Sequence, residues 1–270
     1  MYHNLFDSHI HSDNSHDGHH SVMYMAERAQ SLGMMGIAVT DHADCHKLGE
    51  PGYINRILQS IFDVTKAKVA FRHRMTFGVG IEIGVDGHPT AADKLVKSYS
   101  FDFVLGAIHH NKEGMGYCSA PYDTNTPEQN KVLLDSYFEN MLEMVAWGGF
   151  DSLAHLTYPL RSAARLNVAL DLEPHKEQID AVLKGLVEKG KALEINSSAL
   201  RSPLEDLMPP FWILQRFREL GGQYITIGSD AHRVDQVGFG IQQAMDALHH
   251  VGFEYFAFYR ARRPIMLRVV

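Results

Sequence analysis

Seven short apolar runs, each leading into a polar, chemistry-bearing group, constrain this chain more than any other feature. They are LFDSHIH at 5–11, GIAVTDHA at 36–43, FGVGIEIG at 77–84, FDFVLGAIHH at 101–110, FDSLAHL at 150–156, ALEINSS at 192–198 and YITIGSDAH at 224–232. They have strand length, β-branched or aromatic content, and Gly, Asp or Ser near their borders. Between several of them lie stretches with apolar residues three and four apart, which predict helices over 21–33, 128–147, 177–190 and 210–222. The first opens on the cap residue Ser21 and closes at Gly33, where helices commonly stop. Strand alternating with helix implies parallel strands joined by crossover helices. Seven such strands predict a closed or nearly closed α/β barrel, with an open doubly wound sheet as the other arrangement. No Pro/Ser-rich linker or shift in composition divides the sequence, so a single domain over 1–270 is expected.

Barrels of this kind carry their chemistry at the C-terminal ends of the strands. Those ends hold His9, His11, Asp41, His42, Glu82, His109, His155, Glu194, Asp230 and His232. On a strand, residues i and i+2 share a face, so His9 with His11, and Asp230 with His232, can each serve one site. A scatter of histidines over a surface would not follow strand ends in this way. The sequence has 17 histidines, and imidazole combined with carboxylate suits Zn, Fe or Mn. Six histidines and three carboxylates, counting Asp17, are too many for one tetrahedral ion and suit two or three ions sharing a bridging carboxylate. Multi-metal clusters hydrolyse phosphate esters by clamping the attacking and leaving oxygens.

The remaining composition narrows the class. A formal net charge of -7 argues against a nucleic-acid partner. No apolar run reaches the roughly 18 residues of a membrane span, so no membrane is expected. No secretory pattern opens the sequence, and two cysteines, Cys45 and Cys118, build no disulfide framework; the expected location is the cytoplasm. Oligomeric state has no signature here.

Some positions leave alternatives. HSDNSHDGHH at 11–20 offers Asp13, His16, Asp17, His19 and His20, among which Asp17 and His16 compete. His109 and His110 compete in the same way. Cys45 and His46 read as loop residues. Asp7 and Asp41 stand beside ligand candidates, where a carboxylate can orient an imidazole. The basic tail RARRP reads as a solvated end or a helix terminus.

The motifs HxH at 9–11, TDH at 40–42, Glu82, GAIH at 106–109, AH at 154–155 and SDAH at 229–232 resemble the PHP (polymerase and histidinol phosphatase) superfamily, in order and over nearly the whole chain. LTYPLR at 156–161, EINSSALR at 194–201 and YFAFYRARRP at 255–264 are most similar to its histidinol-phosphate phosphatases. The resemblance implies a distorted seven-stranded βα barrel with three divalent ions. One would take His9, His11, Glu82 and Asp230, a second Glu82, His109 and His155, and a third Asp17, His42 and His232. Arg161 and Arg201 would hold the substrate phosphate, for which the guanidinium fork is suited. Glu82, Asp230 and His232 would be catalytic: a hydroxide near Glu82 and Asp230 attacks phosphorus, and Asp230 or His232 protonates the leaving alcohol. Three divalent ions against three carboxylates and a hydroxide leave roughly +2, which balances a phosphomonoester dianion. The implied reaction is hydrolysis of histidinol phosphate in histidine biosynthesis. The alternatives are a family phosphatase or phosphodiesterase for another small ester, and a metal-binding accessory module without catalysis.

Overall fold

In a computed structural model describing residues 2–269, the chain runs β1 (Phe6–Ile10), α1 (Val22–Ser31), β2 (Gly36–Val39), β3 (His42–Asp44), α2 (Tyr53–Ala70), β4 (Thr76–Gly84), α3 (Pro89–Ser98), β5 (Phe103–Ala107), α4 (Pro127–Trp147), β6 (Ser152–Leu153), α5 (Tyr158–Arg165), α6 (Lys176–Glu188), β7 (Ala192–Asn196), α7 (Phe211–Glu219), β8 (Ile225–Gly228), α8 (Ile241–Val251), β9 (Tyr255–Arg260) and β10 (Arg263–Arg268). Strands β1, β2, β4, β5, β6, β7 and β8 pair in parallel in that order, and β3 also pairs with β4. The ring draws nearly shut where β1 meets the end of β8. There the His11 amide donates to the Ala231 carbonyl and the Asp230 amide to the His9 carbonyl, each at 2.8 Å. This is the nearly closed barrel expected from the strand pattern.

The helices follow their local chemistry. Helix α4 starts at a capping box in which Thr126 and Gln129 satisfy each other's backbone amides, with Pro127 in the first turn. It stops at Gly148, whose φ of 67° is the left-handed conformation that ends helices. The seven barrel strands are buried almost throughout and pack with the helices' apolar faces into one main core. Among the described residues, no helix is long and apolar enough to cross a membrane.

Buried carboxylates fasten the frame. Asp7 accepts from the Ser229 amide at 2.8 Å, the Ser229 hydroxyl at 2.5 Å and the Gly238 amide at 3.0 Å, so it ties the first barrel strand to the last. It orients backbone rather than an imidazole ring. Asp41 likewise accepts from the Ser12 amide and from the hydroxyls of Ser12, Ser15 and Ser60, fixing the loop after β1.

The basic tail is neither a solvated end nor a helix terminus. Strands β9 and β10 form an antiparallel hairpin whose two turn residues, Ala261 and Arg262, both have positive φ. The hairpin covers the N-terminal end of the barrel, where Phe258 stacks on Phe6 and Tyr259 on Phe103. At its turn, the Arg262 Nε donates to Asp151 and its Nη2 to the Gly149 carbonyl.

Burial pushes the Asp151 carboxyl above its ordinary pKa even with Arg262 beside it. Arg262→Ala leaves that carboxylate buried without its counter-ion. The expected loss is about 2–3 kcal/mol, below the range for fully buried pairs because Arg262 is partly exposed. An acid whose folded pKa is raised destabilises the fold as pH rises through that pKa. The difference between variant and wild type therefore shrinks as pH falls into the carboxylate range. Urea unfolding of both proteins across pH checks sign and size.

Candidate metal centre

Each motif predicted to bind a metal lies at the C-terminal mouth of the barrel, and the structure brings their side chains together. The Nε2 atoms of His9 and His11 are 3.0 Å apart, and each lies within 3.6 Å of Asp230 Oδ1 and 3.5 Å of a Glu82 oxygen. Glu82 also meets His109 Nε2 at 3.3 Å and His155 Nε2 at 2.8 Å. Asp17 meets His232 Nε2 at 3.1 Å and His42 Nε2 at 3.6 Å. His42 turns its other nitrogen to Glu82 at 2.9 Å, so it stands between the Asp17 and Glu82 groups. His16 is exposed and lies 3.8 Å from Asp17. Of the adjacent pair, His109 faces Glu82 while His110 faces Asp86 at 3.2 Å.

Four of the six imidazoles have their outer nitrogen held, leaving Nε2 turned inward. Glu194 takes His9 Nδ1 at 2.7 Å, Ser15 Oγ takes His11 Nδ1 at 3.2 Å, Asp44 takes His109 Nδ1 at 3.0 Å and the Asp230 carbonyl takes His232 Nδ1 at 3.0 Å. Such outer contacts fix ring orientation in metal sites. Glu194 uses its second oxygen to accept the His155 amide at 2.8 Å. Gly228 permits this packing, since a Cβ there would lie 2.3 Å from His9 Cβ and 2.5 Å from Glu194 Oε1. His155 and Asp230 themselves adopt positive φ, at 23° and 54°. Non-glycine residues seldom do so, and such strain concentrates at functional sites.

The electrostatics are those of a donor cluster. Burial opposes ionisation of Glu82, yet His109, His9 and His42 hold it well below the usual carboxylate range. Asp230 is held low in the same way by His9 and Arg161. Burial, reinforced by His232 and His42, keeps His11 well below its ordinary value. His42 Nδ1 and Glu82 Oε2 face each other without hydrogen-bond alignment, and both are buried and unpartnered, as is His155 Nδ1. Buried polar atoms are normally satisfied. Converging imidazole and carboxylate atoms with unmet bonding capacity fit divalent metal ions of the Zn, Fe or Mn type.

The cluster forms the floor of a cavity of about 430 Å³. Arg161, Arg165, Arg201 and Arg233 line its wall, with Tyr158, Ser198 and Cys118. Arg161 donates to Asp230 Oδ2 at 2.8 Å and to Ser198 Oγ, lies over the Tyr158 ring, and keeps a buried Nε–H without a partner. Arg201 donates to the carbonyls of Ser229 and Asp230. Arg165 has the one signal that would have found it, its i+4 spacing from Arg161 on α5. The orienting role of Asp44 carried none, because its partner is 65 residues away.

Glu194→Ala would free the His9 ring and lower affinity for divalent metal about 10- to 100-fold. Competition with a chelator, alongside the far-ultraviolet spectrum to confirm folding, measures it.

The chain is similar to known proteins along most of its length. A Thermotoga maritima protein described as "Probable histidinol-phosphatase" is 32% identical over 94% of this chain and 95% of its own length. A Clostridium acetobutylicum protein of the same description is 30% identical over 89% and 91%. The crystal structure of Lactococcus lactis histidinol phosphate phosphatase, complexed with zinc, L-histidinol and phosphate, superposes with a TM-score of 0.80 at 23% identity, covering 97% of this chain and 99% of that one. The PHP domain matches residues 7–198. The chain belongs to the PHP domain family.

Proposed function

We propose that this protein is a metal-dependent phosphomonoesterase that hydrolyses L-histidinol phosphate to L-histidinol and phosphate, a cytoplasmic step of histidine biosynthesis carried by one PHP-type domain over 1–270. The observation that carries it is the meeting of two chemistries in one cavity: a floor of imidazole and carboxylate donors and a wall of four arginines. The first fits divalent ions and the second an anionic substrate. The full-length likeness to histidinol-phosphatases supports the choice of ester.

Three ions per chain are assigned to His9, His11, Asp17, His42, Glu82, His109, His155, Asp230 and His232, with Glu82 between groups; their identity lies among Zn, Fe and Mn. When bound, such ions act as Lewis acids and lower the pKa of water. The protein's own groups do the rest. Arg161, whose Nε–H lacks a partner, and Arg201 position the phosphate. The Tyr158 ring beneath Arg161 limits its swing. Glu82 and Asp230 hold negative charge in a dry floor, where it would offset the charge of the bound ions. The departing alkoxide takes its proton from water in the cavity, because Asp230 is held ionised and both ring nitrogens of His232 are engaged. A family phosphatase or phosphodiesterase for another small ester is the competing assignment.

Phosphate release from histidinol phosphate, beside a panel of monoesters and a diester, tests the proposal with metals counted on the same sample. Preference for histidinol phosphate with at least three ions per chain is the expected result. Faster turnover of another ester would retain the mechanism and overturn the substrate. Metal-replete protein that hydrolyses none of them would overturn both. Arg161→Ala should lower kcat/KM for the monoester roughly 10- to 100-fold, the worth of one charge-assisted contact. An unchanged kcat/KM would remove Arg161 from substrate binding.

A further inference from the structure

A second cluster of donors lies outside the main cavity. His46 sits in the short 3-10 turn after β3, Asp86 just beyond β4, and His110 just beyond β5. None of the three lines the arginine-walled cavity. His46 Nδ1 is 3.4 Å and His110 Nδ1 3.2 Å from the same oxygen, Asp86 Oδ2. One ligand atom from each residue lies within 4.8 Å of the others.

The carboxylate is built in rather than incidental. Asp86 is buried and has a φ of 46°, unusual for a residue with a Cβ. Its Oδ1 accepts the amides of His109 and His110, at 2.9 and 3.1 Å, which leaves Oδ2 turned to the two imidazoles. Gly84 makes the room: a Cβ there would come within 2.5 Å of Asp44 Oδ1, 3.1 Å of Asp86 Oδ2 and 3.3 Å of His109 Nδ1.

From this geometry we infer that His46, Asp86 and His110 form an additional binding site for a divalent transition-metal ion such as Zn2+, separate from the main cluster. A tetrahedral ion with ligands near 2.1 Å spaces them about 3.4 Å apart, close to the spacings from Oδ2 to the two nitrogens. His110 Nδ1 hydrogen-bonds this oxygen, and a shared ion would take the same oxygen together with both nitrogens. The His46 and His110 side chains are 27% and 20% exposed, so an ion could enter and a fourth position would be open to water. The ion would join the loops that follow β3 and β5, at the rim of the barrel mouth.

Metal counting after equilibration with Zn2+ tests the site without reference to phosphatase activity. Wild type is expected to retain one more zinc per chain than His46→Ala, which removes a partly exposed side chain and no donor of the main cluster. Equal zinc content in the two folded proteins would overturn the inference. Anomalous scattering at the zinc edge from crystals of the loaded wild type gives an independent reading. A peak among the three side chains supports the site, and peaks confined to the main cluster overturn it.

Discussion

A carboxylate sealed inside the barrel mouth governs how this protein is put together. Glu82 is almost wholly withdrawn from water, and five imidazoles, those of His9, His11, His42, His109 and His155, come within 3.5 Å of its oxygens. An isolated buried charge is costly, so the surroundings must compensate it. The compensating rings come from four separate strand ends, with His9 and His11 sharing the first, and so the strands must be parallel, adjacent and ended in register. The outer contacts of Glu194, Asp44 and Ser15 keep the rings from turning to easier partners. The apolar core beneath supplies rigidity, and the mouth concentrates strain at His155 and Asp230, where the geometry serves chemistry rather than backbone comfort.

Much of this was legible in the sequence because a strand end is a local event. Period-two spacing placed His9 with His11, and the strand ends placed eight of the nine donor candidates around one mouth; Asp17 came with the family resemblance, and Asp230 and His232 lie beyond the end of β8, where strand alternation does not reach. What local pattern could not carry was pairing at a distance. Glu194 could be seen at a strand end, but its hold on His9 spans 185 residues. Asp7 and Asp41 were visible beside ligand candidates, yet their partners are a seam and a loop. The strand windows also ran long: the 150–156 run yields only Ser152–Leu153 as strand.

The hairpin at 255–268 was missed for a physical reason. A tight turn with two positive φ values normally advertises itself with Asn or Gly. Here Ala261 and Arg262 occupy those positions, held there by Asp102 and Asp151 from the body of the barrel. Tertiary contacts overrode the local preference and erased the signal. Helices α2 and α8 were passed over although both begin after a glycine in the left-handed conformation, a start that no side-chain cap marks.

The seam made by Asp7 has a consequence for biogenesis. It joins groups 222 residues apart, and the same seam brings His9 and His11 against Asp230 and His232. Contacts so distant in sequence form late, after the local helices and strand pairs. On the ribosome, the donor cluster stays incomplete until synthesis has passed residue 232, whatever has already folded. Half of the imidazoles therefore emerge early but lack the carboxylate that completes their site. The order of translation thus delays full metal capture until the barrel can close around it.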